Sequence, residues 1–322
     1  MNVIVSEEYT PERQEEVRAE VRRIMEVEGL SQADVARESG VKYGTFTGWL
    51  AGTYDGRNDL KAAEIDKWLR ARREKAAVAA VLPEPPAFQA TATAQEIVGV
   101  LQWCKTAQDF GVVVGVPGIG KTKTFEYFRE VTPHVWMATL EPSVRGVHQV
   151  LTRLCHVMKI AERRPTMLST AISDFVKGKG GLIIVDEAHQ ATIEALDQLR
   201  AFADPDVGGT GVVVGGNHAL LSRLKSGGPA NAQLTSRVGM RRVLNKPRPN
   251  DIAAIIAAWK VEDPEIVKYL GVIGRKPGAL RCITKTMRLA VLQARGGDQP
   301  LSIDHVRRAW TQLSDSSEPS AE

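Results

Sequence analysis

The chain has 322 residues, 43% of them hydrophobic and 25% charged, with a formal net charge of +4, the balance of a soluble globular protein with room for two or three domains. No run of 18 apolar residues occurs and the chain opens on Glu7 and Glu8, so neither a membrane span nor a secretory leader is expected. Its three cysteines, Cys104, Cys155 and Cys282, lie far apart without a CxxC pair, which argues against a zinc site or a disulfide framework and suits buried thiols in a reducing cytoplasm.

Residues 12–28 predict a helix with Val17, Val21, Ile24 and Met25 on one stripe. Ser31 can cap the short helix that follows, and Gly40 stands where a tight turn needs positive φ. A second short helix over Lys42–Leu50 turns Phe46, Trp49 and Leu50 inward, and a longer one over about Leu60–Arg73 carries Ile65, Trp68 and Leu69. Two short helices joined by a glycine turn make a helix-turn-helix over 1–76, whose second helix would present Lys42, Tyr43, Thr45 and Thr47 to a DNA groove. Gly44 and Gly48 weaken that helix by about 1 kcal/mol each. Residues 1–80 carry 13 basic against 15 acidic side chains, so a bundle used for protein contacts is the competing reading.

Residues 77–94 are Ala-rich and then Pro-rich (Leu82-Pro83-Glu84-Pro85-Pro86), and predict a semi-rigid, extended linker. From 95 to 248 short apolar runs at Val112–Val114, Val135–Leu140, Leu182–Val185 and Gly211–Val214 alternate with helical stretches. That is the pattern of an α/β core, a parallel sheet covered on both faces. Residues 249–313 read as helix only, a separate lid, and 314–322 as a polar, disordered tail. The span 222–310 carries 17 basic against 6 acidic side chains, which suggests a polyanionic partner for the C-terminal third.

The chemistry concentrates at Gly115-Val116-Pro117-Gly118-Ile119-Gly120-Lys121-Thr122, which fits GxxxxGK[ST] between an apolar run and a helical one. Glycines there let backbone N–H groups wrap phosphates, and a helix N-terminus adds partial positive charge. Lys121, with Lys123 beside it, would meet the β- and γ-phosphates of ATP, and the Thr122 hydroxyl would bind Mg²⁺. A second apolar run, Leu182–Val185, ends in Asp186 and Glu187. Asp186 would hold Mg²⁺ through water, and Glu187 would deprotonate the attacking water. A third run ends near Asn217, suited to orienting that water. Arg237, with Arg223 and Arg241 as alternatives, can reach the γ-phosphate bound by a neighbouring subunit. Arg281 opens a lid helix and can close over the nucleotide.

The order of these motifs resembles that of the AAA+ ATPases. With the helix-turn-helix and the Pro-rich linker, the chain looks like the phage Mu transposition protein B family, the transposon target-selector ATPases. Asn217-His218, Ser236-Arg237, Ala258-Trp259 and Lys276-Pro277-Gly278-Ala279-Leu280-Arg281 carry the local similarity. The resemblance implies ATP-dependent, largely nonspecific binding of double-stranded DNA as a homo-oligomeric filament or ring, and delivery of that DNA to a transposase in the bacterial cytoplasm. Hydrolysis would release it. Candidate phosphate contacts are Arg145, Arg163, Arg164, Lys177 and Lys179. The alternatives are an ATP-sensing helix-turn-helix transcriptional regulator and a helicase-loader-type AAA+ protein.

Overall fold

Thr10 starts the first helix by accepting from the Arg13 N–H, with Pro11 at a position that needs no donor. In the computed structural model, residues 8–225 and 234–314 are described, and of 77–81 the backbone alone. The chain forms two units, Met1–Pro83 and Glu84–Glu322.

The described elements of the first unit are helices. α1 (Pro11–Glu28) ends at Gly29, φ 66°, and α2 (Gln32–Ser39) is closed at its start by a Ser31–Asp34 capping box and at its end by Gly40, φ 75°. α3 (Tyr43–Ala51) and α4 (Asn58–Val81) complete it. Val17, Val21, Val35, Phe46, Trp49, Ile65 and Leu69 form the core, with Met25 and Trp68 half-buried against it. One member was not foreseen: Asp66 is fully buried and accepts from the Tyr9 hydroxyl at 3.0 Å and from Arg70. α4 also runs past Arg73 into residues expected as linker. The Ala76–Ala80 stretch favours helix, and Pro83 lies just beyond its end.

The second unit begins with α5 (Ala92–Ala107), capped by Thr91. Five parallel strands follow: β1 (Phe110–Gly115), β2 (Val135–Thr139), β3 (Leu182–Asp186), β4 (Gly211–Gly216) and β5 (Met240–Leu244), in the order β2-β3-β4-β1-β5. Sequence reading missed β5. Arg241 and Arg242 mask its apolar pattern, and an edge strand, paired among the described residues with β1 alone, tolerates them. Side chains alternate between two cores. Val112, Val114, Ile183, Val185 and Val212 meet α7 (Val147–Met158), α8 (Leu168–Val176), α9 (Ile193–Ala201) and α10 (His218–Lys225). Val113, Leu182, Ile184 and Val213 meet α5 and α6 (Lys121–Val131). β1 and β4 are buried along their whole length, as a strand covered on both faces must be.

Beyond the sheet, α11 (Pro249–Ala258), α12 (Pro264–Arg275), α13 (Ala279–Gly296) and α14 (Ile303–Leu313) pack around Ile252, Leu270, Ile273, Ile283 and Met287. Two ties hold this group to α5. Buried Asp251 accepts from Thr93, and Glu96 pairs with both Arg242 and Arg248. The tail expected at 315–322 lies outside the described residues. Among those described, no helix is long and apolar enough to cross a membrane.

Candidate functional site

β1, between β4 and β5, leads into the turn Val116–Gly120, and α6 starts at Lys121. Gly118 (φ 79°) and Gly120 (φ 102°) take left-handed backbone that other residues adopt only with strain. At Gly118 space is decisive as well, because a Cβ there would stand 1.9 Å from the carbonyl oxygen of Gly278, at the lid's entry.

Lys121 is 9% exposed, and its Nζ donates to the carbonyls of Gly115 (2.7 Å) and Val116 (3.2 Å). Burial holds its pKa below the ordinary lysine value; Asp186 and Glu187 oppose that shift and Arg281 adds to it. An ammonium group so placed gains most from an anion entering the turn.

Asp186, at the end of β3, is 1% exposed. Its Oδ2 accepts from the Thr122 hydroxyl at 2.6 Å and its Oδ1 from the Glu187 N–H at 2.8 Å. A buried carboxylate beside a hydroxyl supplies hard oxygen donors that fit a magnesium ion sharing its remaining positions with phosphate and water. Glu187 adopts φ 54°, unusual for a residue with a side chain. Its Oε2 lies 3.1 Å from His189 Nδ1.

Lys121, Thr122, Lys123 and Glu187 line one cavity of about 520 Å³, which Arg281 enters from the start of α13. Lys123 is paired with Glu126 at 2.7 Å. Part of the wall went unrecognised in the sequence. Pro85–Gln89, expected as a spacer, forms one side, where Phe88 stacks on Tyr127 with ring centroids 4.0 Å apart and planes 10° from parallel. Lys285 and Arg288 line it from the lid.

Other predicted residues stand elsewhere. Asn217 follows β4, where its Oδ1 accepts from the Ala219 N–H at 2.9 Å and so caps α10; it is not part of the cavity wall. Arg237 is also outside it, half-exposed, with Nη1 3.8 Å from Asp204. Arg223 donates to the Ala191 carbonyl, and Arg241 is exposed on β5, next to an Arg242 bound to Glu96.

The basic residues proposed for DNA fall into separate groups. Arg145 and Arg163 are exposed near the two ends of α7, and Arg164 is paired with Glu162 at 2.8 Å. Arg163 shares a shallow groove with His148, Thr152, Arg153 and His156, a stripe at helical spacing that was overlooked. Lys177 and Lys179 precede β3, at the end where the parallel strands start, whereas the Gly115–Thr122 turn follows the end of β1, and Lys179 lies over the Phe175 ring. In the first unit Lys42 and Tyr43 are exposed. Thr45 and Thr47 are not the open side chains expected, since both are half-buried and Thr47 donates to Gln32 at 3.1 Å. The tight crossing of α2 and α3 that buries Phe46 draws these positions in.

A family model described as Mu B transposition protein, C terminal, matches residues 236–313, and an AAA domain model matches residues 104–224. The chain is 34% identical over 302 residues to the ATP-dependent target DNA activator B of Escherichia phage D108, spanning 92% of this chain and 95% of that protein. It is 33% identical, over the same shares, to the ATP-dependent target DNA activator B of Escherichia phage Mu. Among solved structures it is similar to the Aeropyrum pernix ORC2 protein with a TM-score of 0.56 at 17% identity, over 72% of this chain and 71% of that one, a likeness of fold alone.

Proposed function

The chain belongs to the phage Mu B transposition protein family, and we propose that it uses ATP to assemble on target DNA and present that DNA to a transposase. It is an AAA+ ATPase of the transposition target-selector kind. The observation that carries the fuller reading is the convergence of Lys121, Thr122 and Glu187 on one cavity that Arg281 enters from the lid, with Asp186 bonded to the Thr122 hydroxyl.

In this reading the N–H groups at the start of α6 and the Lys121 ammonium grip the β- and γ-phosphates. Thr122 and Asp186 would hold Mg²⁺, which when bound neutralises phosphate charge. Glu187 takes the proton of the attacking water, which the amide of Asn217 helps to orient. Arg281 senses the bound phosphates from the lid. Arg237, half-exposed and weakly paired, serves the cavity of a neighbouring copy, so hydrolysis needs the homo-oligomer. DNA phosphates meet Arg145, Arg163 and Arg164 together with His148, Thr152 and Arg153 of the α7 groove. Lys177 and Lys179 form a second patch, and Lys42 and Tyr43 a third on the first unit. Contacts of this kind bind the backbone without reading bases.

The test is electron microscopy and DNA binding with ATP, a slowly hydrolysed analogue, and ADP. Filaments or rings on DNA of arbitrary sequence with the triphosphate forms, and none with ADP, are expected. The affinity should fall steeply with salt, by about 0.9 log unit per log unit of salt for each phosphate neutralised. Nucleotide-independent DNA binding, or selection of one palindromic site, would contradict the reading.

A further inference from the structure

At the joint between the lid and α5 one carboxylate is kept wholly out of water. Asp251, the third residue of α11, is fully buried, and so nearly is Thr93, the second residue of α5. Asp251 Oδ1 accepts from the Thr93 N–H at 3.4 Å and Oδ2 accepts from the Thr93 hydroxyl. Its charge therefore lies at the N-terminal ends of two helices, where free N–H groups favour an anion. A carboxylate is costly to bury, and an apolar side chain of the same size would fill the space as well, so packing alone does not account for it. Its neighbours do. Thr91 and Ala94, on either side of Thr93, line the nucleotide cavity, as does Ile255, one turn along α11 from Asp251. Neither Thr93 nor Asp251 is part of that wall, so the clamp can act on a ligand only through the residues it holds.

We propose that Asp251 is a positioning residue for the nucleotide: its bonds to Thr93 fix α11 on α5 and so set the angle at which Arg281 enters the cavity. The inference rests on the reading of Arg281 as the lid's contact with the phosphates. The link from clamp to arginine is short and tightly packed. Ile252, beside Asp251, and Ile283, two residues past Arg281, both close on Gly274 of α12, where a Cβ would stand 2.8 Å from the first and 2.9 Å from the second. With no slack there, α11 and α13 turn as one piece. The second tie, Glu96 to Arg242 and Arg248, is partly open to solvent and correspondingly weak. Loosening the buried clamp therefore lets the lid swing and takes Arg281 from the phosphates, while the Gly115–Thr122 turn and Asp186 stay as they are.

The test is a double-mutant cycle in the full chain, read as the affinity for a fluorescent ATP analogue. Thr93→Val keeps the shape of the side chain and removes its hydroxyl, whereas Thr93→Ser keeps the hydroxyl. Thr93→Val should lower the affinity on the order of tenfold, the lower end of what a hydrogen bond to a charged group commands, and Thr93→Ser should stay within about twofold of the parent. In an Arg281→Ala chain the same Thr93→Val change should cost less than about twofold, because the group it acts through is gone. A valine chain that binds as the parent does, a serine chain as weak as the valine one, or a valine effect undiminished by Arg281→Ala overturns the proposal, the last by showing a merely structural role. If Thr93→Val does not fold, Asp251→Asn, which keeps the shape and gives up one acceptor, goes through the same cycle with the same expectation. Arg281→Ala alone separates the two levels. If it binds ATP as tightly as the parent, the reading of Arg281 falls and the proposal with it. If it binds weakly while Thr93→Val does not, only the role of Asp251 falls.

Discussion

The hydroxyl of Thr122 donates to Asp186 at 2.6 Å across 64 residues of sequence, joining the first turn of α6 to the end of β3. The strands that lead to them, β1 and β3, are not neighbours in the sheet, because β4 runs between them. Each partner is worth little without the other as a magnesium site, since one hydroxyl or one carboxylate offers too few fixed donors. Thr122→Ala should therefore weaken magnesium-dependent ATP binding on the order of tenfold and nearly abolish hydrolysis, while Thr122→Ser keeps both. Isothermal titration with and without magnesium reads this directly; a Thr122→Ala chain with unchanged magnesium dependence would remove the hydroxyl from the site.

The strand in between matters because it is bare. Gly215 of β4 lies under the pair, and a Cβ there would stand 2.4 Å from the Phe125 ring and 3.3 Å from Asp186 Oδ1. Gly215→Ala should cost about 1–3 kcal/mol of stability, the usual range for overpacking a filled core, and slow hydrolysis through the displaced carboxylate. Thermal unfolding and ATPase assays on the same preparation check it. An alanine variant with parental stability and rate would mean that α6 moves aside freely.

Glycine at 215 shows what sequence reading could and could not deliver. Gly115–Thr122 and Asp186-Glu187 were legible as motifs because each is contiguous, and the structure brings Thr122 and Asp186 together. The parallel sheet was legible from its continuous apolar runs. Gly215 and Phe88 were not. Gly215 is defined by what packs over it, and Phe88 sits in a Pro-rich stretch that locally resembles any spacer. β5 escaped because an edge strand can carry Arg241 and Arg242, and Thr47 was misjudged because helix periodicity cannot tell a groove-facing side chain from one tied to Gln32.

Lys121 links function to stability with a definite sign. Burial depresses its pKa below 10.5 in the folded chain. Between that depressed value and the unfolded one, the unfolded chain binds more protons, so this group's contribution to stability rises with pH there and is unfavourable at neutral pH. Lys121→Met, apolar and of similar length, should leave the nucleotide-free melting temperature unchanged or raised at pH 7, with the gain shrinking toward pH 10. Its ATP affinity should fall on the order of a hundredfold, as loss of charge-assisted bonds to phosphate requires. A melting temperature lower at pH 7 than at pH 10 relative to the parent would reverse the sign.

The stacked pair Phe88–Tyr127 makes a distinguishable prediction, because both rings line the cavity, whose wall does not include Asp186. With Pro85 and Pro86 it forms an apolar side on which a flat heteroaromatic base can pack, whereas the cations line the phosphate end. ATP and ADP share the base and differ in the γ-phosphate, so truncating the wall must weaken both alike. Tyr127→Ala should lower both affinities about three- to tenfold, the value of an aromatic contact of 0.5–1.5 kcal/mol, with kcat at saturating ATP little changed. Lys121→Met should instead lower affinity for ATP more than for ADP. A Tyr127→Ala chain that loses ATP but keeps ADP would place the base elsewhere and assign this wall to the γ-phosphate state.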